Sequence, residues 1–329
     1  MQAASPGSTT VRSGTPRPRD PAACVQVRLD DLIGQRIAAR SLVLAASRKV
    51  SAAQAGVKTS RFRGRGVDYV ESRGYQPGDD IRSMDWRVTA RSGRPHTKVF
   101  QEERERSVLL LVDHAASMRF GTRVCFKSVQ AARAAALIAW SAIRGGDRVG
   151  AVGFGSGVTG EVRPAGGPRG VLHCLRALAD WDALARVERD AGPAPLSQAL
   201  ERARRLARPG SLIVLLTDGF SSDAAAEAPL ARLAGHGDVR LLLMTDALEL
   251  AAPPRGRYAV ALGGVRRWLE FDTAGTETQW TDAFRQRREL LLQQARRLGV
   301  TPIAVDTRDD LTRCLAPLGL ALATRRSYV

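Results

Sequence analysis

Asp113 and Asp218 each close a run of apolar residues, Leu109-Leu110-Leu111-Val112-Asp113 and Leu212-Ile213-Val214-Leu215-Leu216-Thr217-Asp218. With Ser117, four residues past the first of them, they make a hard, oxygen-rich set suited to Mg²⁺, an ion that prefers octahedral oxygen ligands and keeps several waters. The same aspartates have a second use, each accepting backbone N–H bonds in the turn that follows it, Asp218 just ahead of Gly219. Residue types alone leave the two uses level. A second acidic group, Asp79, Asp80 and Asp85, is interspersed with Arg73, Arg82 and Arg91, whose planar guanidinium groups match carboxylates. Convergence of those three aspartates on one ion would open metal-assisted hydrolysis. The simpler use is a buried ion-pair network joining this segment to the main sheet, with Trp86 as the anchor.

Other chemistries are excluded by spacing. No G-x-x-x-x-G-K-[ST] occurs, and Lys127 follows Phe126 without a glycine loop, so the chain has no phosphate cradle of its own. Gly153-Phe154-Gly155-Ser156-Gly157 leads into a strand rather than a helix, which makes it a hairpin turn and not a dinucleotide site. The histidines, His96, His114, His173 and His236, show no zinc-ligand spacing. His114 adjoins Asp113, but neighbours on a strand face opposite ways, so the two form no proton relay. No residue is assigned a catalytic role.

The elements that must position the aspartates follow from the pattern. Apolar runs of this length are strands of a parallel sheet buried on both faces, whose carboxyl ends carry the ligand sites of open α/β folds. From Ser107 onward, strands at 108–113, 147–154, 161–163, 211–217, 238–245 and 300–305 alternate with helices at 123–143, 168–180, 195–207, 223–234 and 276–298. In the first helix Val129, Ala132, Ala136, Trp140 and Ile143 share one face. Alternation of this kind predicts an α/β fold, a Rossmann-like, doubly wound and mostly parallel sheet, over 107–329. Ahead of it, residues 1–24 read as a disordered tail and 25–57 as an amphipathic helix carrying Leu32, Ile33, Ile37 and Leu44. Residues 58–106, punctuated by Gly64, Gly66, Gly74, Pro77-Gly78 and Gly93, read as a small β-rich module.

The formal charge of +17 raises nucleic acid as a partner, with Arg61, Arg63 and Arg65 around Phe62 as the candidate contacts. Lysine, however, occurs only at 49, 58, 98 and 127, and the arginines are spread along an Ala-, Gly- and Leu-rich chain. That is the bias of a GC-rich coding sequence rather than of a binding patch. Cys24, Cys125, Cys174 and Cys314 show no C-x-x-C spacing and read as reduced thiols of a cytoplasmic protein. No stretch approaches the roughly 20 apolar residues of a membrane span. Ala22-Ala23-Cys24 lacks the apolar segment of an export signal.

The segment Arg73-Gly74-Tyr75-Gln76-Pro77-Gly78-Asp79-Asp80-Ile81-Arg82-Ser83-Met84-Asp85-Trp86, followed by Ala90-Arg91, closely resembles the signature R-x-Y-x-x-G-D-D-x-R-x-I-D-W of the bacterial family called domain of unknown function 58. The resemblance continues through Phe120-Gly121-Thr122-Arg123 and Gly146-Asp147-Arg148-Val149-Gly150, over roughly residues 30 to 220. Asp113-His114-Ala115-Ala116-Ser117 resembles a degraded D-x-S-x-S metal-ion-dependent adhesion site of the von Willebrand factor A domain. The resemblance implies a protein-binding domain, accompanied in this family by MoxR-type AAA+ ATPases, in which Asp113, Ser117 and Asp218 would match the metal motif. Ala115 stands in place of one ligand serine, and Ala194 or Pro195 in place of the ligand threonine. Each lost hydroxyl removes an oxygen ligand, so affinity for Mg²⁺ falls. The implied role is that of a non-enzymatic adaptor.

Overall fold

The structure, a computed structural model, describes residues 22–44, 67–76, 79, 81–102, 105–187, 194–262, 265–272, 274–318 and 320–322. A short helix α1 (Ala22–Val25) and α2 (Leu29–Ala39) lead into strand β1 (Leu42–Leu44). The next unit is β2 (Val67–Gly74), α3 (Trp86–Ser92) and β3 (His96–Glu102). The main domain then runs β4 (Ser107–Asp113), α4 (Lys127–Arg144), β5 (Arg148–Phe154), β6 (Glu161–Ala165), α5 (Gly167–Val187), α6 (Leu196–Leu206) and β7 (Leu212–Thr217). It closes with α7 (Glu227–His236), β8 (Asp238–Thr245), α8 (Ala247–Leu250), the hairpin β9 (Gly256–Leu262) and β10 (Val265–Phe271), α9 (Ala274–Arg297), β11 (Thr301–Asp306), α10 (Leu311–Cys314) and β12 (Leu320–Leu322).

Six strands form one sheet in the order β11-β8-β7-β4-β5-β6. All neighbours are parallel except β6, which runs antiparallel at one edge. The expected mostly parallel, doubly wound α/β sheet is what forms. Every residue of β4 and β7 is buried, and alternation sends their side chains to two cores. Val108, Leu110 and Val112 pack with α4 and α5, whereas Leu109 and Leu111 pack with α6, α7 and α9. At the amino ends Arg106 clamps Asp147, joining the starts of β4 and β5 through Nη2 to Oδ2 at 3.0 Å and backbone N to Oδ1 at 3.1 Å.

Several expectations change. The first helix of the main domain has no exposed face: every residue from Lys127 to Ala142 is buried. The reason is a third layer that periodicity does not reveal. Helix α2 lies across α4, with Leu32 in the core, the Trp140 indole N–H on the Leu32 carbonyl at 3.2 Å and Arg133 on Asp31 at 2.5 Å. Arg133 also reaches the Ala23 carbonyl, so residues 22–24 belong to the folded part and not to a disordered tail. The amphipathic helix is shorter than 25–57: it ends at Ala39, and β1 then pairs antiparallel with β12 near the other end of the chain. Ile33 and Ile37, expected on its packed face, are exposed. Among its described residues, the β-rich module contains one hairpin, β2 with β3, and an unforeseen helix α3 between them. The hairpin β9–β10 was also unforeseen, since Arg and Ala break its apolar pattern. Residues 1–21 and 45–66, with the Arg61, Arg63, Arg65 and Phe62 cluster, lie outside the described residues.

If α2 is part of the core, truncating its buried leucine must cost as much as a core truncation. Leu32→Ala is expected to lower stability by about 2–5 kcal/mol, whereas Ile37→Ala on the same helix changes it by no more than about 0.5 kcal/mol. Urea denaturation followed by circular dichroism compares the two; equal effects would return α2 to the status of an appended segment.

Candidate functional site

The register of β4 and β7 decides the geometry of the site. Val112 pairs with Leu216, so Asp113 ends one strand beside Thr217 on the next, and Asp218 follows one residue on. The two aspartates converge at the carboxyl edge of the sheet. Asp113 is wholly buried and accepts from the Thr217 hydroxyl at 2.6 Å, the Ser221 hydroxyl at 2.9 Å and the Ala115 N–H at 2.8 Å. Asp218 accepts from the Ser117 hydroxyl at 3.2 Å, the Phe220 N–H at 3.0 Å and the Lys127 ammonium at 2.8 Å. The carboxylates meet at the sheet edge, and the turn-capping use is realised, each accepting a backbone N–H of its own turn.

Lys127, the first residue of α4, extends the site. Its Nζ bridges Asp218 and, at 2.5 Å, Glu249 Oε1, with both Lys127 and Asp218 almost fully buried. Glu249 belongs to α8, where its other oxygen accepts the Asp246 N–H at 3.0 Å in a capping box. Asp246, just past β8, in turn accepts from the hydroxyls of Thr122 at 2.6 Å and Thr307 at 2.8 Å. Above Lys127, the Phe220 ring is 45% exposed, and the Arg287 guanidinium stacks on it at 3.9 Å. The same ring stands 5.8 Å from the Lys127 ammonium.

Burial, and then the charge of Asp218, push the Asp113 carboxyl up to about 7; the hydrogen bonds from Thr217, Ala115 and Ser221 oppose the shift. Burial would pull the Lys127 ammonium down, yet the charges of Asp218 and Glu249 more than reverse that and raise it. Burial and the nearby Arg119 charge bring His114 down to about 3. Its ring nitrogens have no partner, and the ring sits edge-on to Trp181 at 6.0 Å. His114 and Asp113 share no hydrogen bond and form no relay.

The donor set does not fit a resident Mg²⁺. Ser117 is the one hydroxyl kept from the motif, because Ala115 and Ala194 present methyl groups. The turn after β5 is closed over Asp113: a Cβ placed on Gly155, which adopts φ +85°, would come within 2.7 Å of Asp113 Oδ1. The Gly155 N–H is fixed on the Ala194 carbonyl at 3.0 Å. On the Gly155 side, an ion that holds its waters finds no room against Asp113 Oδ1. Among the described residues, no group of three or more His, Cys, Asp or Glu is disposed to hold a metal ion.

The signature segment makes one of its expected ion pairs and leaves Trp86 out of the core. Arg73 pairs with Asp79 at 2.7 Å, and Asp79 also accepts the Gln76 N–H at 3.0 Å, contacts that hold its carboxyl below the usual range through Gln76 first and then Arg73. The Tyr75 N–H donates to the Pro95 carbonyl. Asp85 caps α3 through the Val88 N–H and accepts the Ser72 hydroxyl at 2.7 Å. Asp79 and Asp85 thus serve separate turns, and the Arg73 pair is local and partly exposed instead of a buried tie to the sheet. Trp86 is 66% exposed at the start of α3 and is no anchor. Arg82 lies in a 3₁₀ turn and Arg91 near the end of α3. Gly78 and Asp80 lie outside the described residues.

All four cysteines are free, and burial raises the Cys174 and Cys314 thiols to about 12. No described helix is long and apolar enough to cross a membrane.

The family model described as protein of unknown function DUF58 matches residues 71–290. The uncharacterized proteins Rv1480 of Mycobacterium tuberculosis and Mb1516 of Mycobacterium bovis are each 34% identical over 241 residues, covering 72% of this chain and 74% of theirs. Among solved structures, the conserved hypothetical protein BatB from Bacteroides thetaiotaomicron is similar over 65% of this chain and 96% of its own, at 15% identity and a TM-score of 0.38.

A buried acid whose folded pKa is raised binds more protons in the native state, so its contribution to stability falls as pH rises from its unfolded value near 4 toward 7. Asp113→Asn removes that slope. Between pH 5 and pH 8 the stability of the variant relative to the native chain is expected to improve by about 1–3 kcal/mol, measured by urea denaturation at both values. A difference independent of pH would contradict the assignment.

Proposed function

From its membership of the DUF58 family, to which this chain belongs, and from its sheet edge, we propose that the protein is a non-enzymatic adaptor. On this reading its von Willebrand factor A-like domain acts with a MoxR-type AAA+ ATPase in the assembly or maturation of other proteins, in the cytoplasm. One observation carries it. The carboxyl edge, where this fold class binds ligands, gathers four titratable side chains, and every carboxyl oxygen of Asp113, Asp218 and Glu249 is engaged by a donor of the chain itself.

Such a set supports surface recognition better than chemistry, since no base lies free beside a nucleophile. What the edge offers a partner is Phe220 with Arg287 held over it, an aromatic ring and an arginine of the kinds enriched at protein interfaces. The ATPase partner rests on the family resemblance, and the chain lacks the phosphate loop that an ATPase would supply.

The test is affinity for the MoxR-type ATPase of the same genome by biolayer interferometry. Phe220→Ala and Arg287→Ala are each expected to weaken binding about tenfold or more, whereas Trp268→Ala, on the β9–β10 hairpin, leaves it unchanged. Absence of binding by the native chain would sink the partnership; binding untouched by Phe220→Ala would move the surface elsewhere.

A further inference from the structure

We infer that the positive charge at the carboxyl edge is supplied by the chain itself: the Lys127 ammonium fills the countercharge role of a divalent ion, and the edge is complete without metal. The inference does not depend on which protein the edge meets.

Its position argues for it. Lys127 Nζ lies between the turn after β7 and the helix after β8, bridging Asp218 at 2.8 Å and Glu249 at 2.5 Å. The side chain is 1% exposed, although taking an ammonium and its partners out of water costs several kcal/mol per ion. Nothing in core packing requires that expense, because an apolar side chain would fill the same volume. The rings of Phe120 and Phe220, each at 5.8 Å, sit within cation–π range and keep bulk water from the pair.

Residue type argues for it as well. In a chain whose positive charge is almost all arginine, this position holds one of four lysines. A compact ammonium approaches a point charge, whereas a planar guanidinium requires a fork of acceptors. The losses elsewhere fit the same account. Methyl groups at Ala115 and Ala194 remove two oxygen ligands, and the Gly155 turn closes over Asp113. Asp113 is satisfied by donors of the chain, so the buried Asp218 is the carboxylate left in need of a cation, and Lys127 is bonded to it.

Two measurements test this. Mn²⁺, a probe ion for such sites, is titrated into the native chain and free Mn²⁺ followed by electron paramagnetic resonance. The expected result is no saturable site below millimolar concentration; a tighter site abolished by Asp218→Asn would overturn the inference. Separately, Lys127→Met leaves two buried carboxylates without their cation, and a fall in melting temperature of about 10 °C or more is expected. The triple variant Lys127→Met, Asp218→Asn, Glu249→Gln removes the charges as well and should regain most of that loss. It also serves as the readout if the single variant fails to fold. A single variant as stable as the native chain, or a triple variant no better than the single, would show that Lys127 does not act as the countercharge.

Discussion

A single buried ammonium joins three elements that are far apart in the chain. Lys127 begins α4, Asp218 follows β7 and Glu249 lies in α8, so the ion triad fixes the amino end of the central helix against the carboxyl ends of two adjacent strands. Hydrophobic packing alone would hold α4 on the sheet, but it is tolerant of sliding by part of a turn. Charges with short contacts and little water are not. Removing one partner of such a set leaves an uncompensated buried charge, which penalises every packing in which the helix and the edge are out of register. The Thr122 and Thr307 hydroxyls on Asp246 extend the same constraint to β8 and to the loop after β11.

Helix α4 can carry this load because it is enclosed on all sides. Its small residues, Ala131, Ala132, Ala134, Ala135, Ala136 and Ala139, let the sheet, α2 and α5 approach closely. A helix that is buried all round gains no stability from a polar outer face and depends on the elements around it. The residues ahead of the main domain therefore belong to the core. Val27 donates its N–H to Asp182 of α5, Arg133 holds Asp31 and the Ala23 carbonyl, and Arg144 takes the Ala39 carbonyl at 2.6 Å. The layer is stitched by backbone carbonyls as much as by apolar contact, which explains how a helix with exposed Ile33 and Ile37 still docks.

Much of the sheet was legible in the chain, and the reasons are specific. Runs such as Leu109 to Val112 and Leu212 to Leu216, short and closed by a turn residue, fit a strand buried on both faces, and the strand Asp238–Thr245 covers the span its apolar run predicts. The convergence of Asp113 and Asp218 follows from the pairing of those strands. Less legible was anything set by contact across the fold. Lys127 looked like an ordinary helix residue, although its rarity as a lysine was a signal. Asp246, at the end of another apolar run, Leu241 to Met244, was a further signal of the same form as Asp113. Trp86 misled because a tryptophan in a recognisable motif invites a packing role, whereas its place at the start of a short capped helix leaves it exposed.

On the proposed adaptor reading, the economy of this edge bears on how the domain would meet a partner. A metal-bridged contact needs an ion, a vacant ligand position and a carboxylate from the other protein, and part of its energy goes to ordering waters and loops. Here the hydroxyls, the ammonium and the closed Gly155 turn hold the carboxylates in one arrangement before any partner arrives. On that reading affinity would depend on what projects above that rigid base. Phe220 and Arg287 are fixed by the Gly219 carbonyl, which accepts from Arg287 Nη2 at 2.7 Å, and by the stacking between them. Side chains ordered in advance lose little entropy on binding, which on that reading would favour a small aromatic and cationic surface over a flexible one.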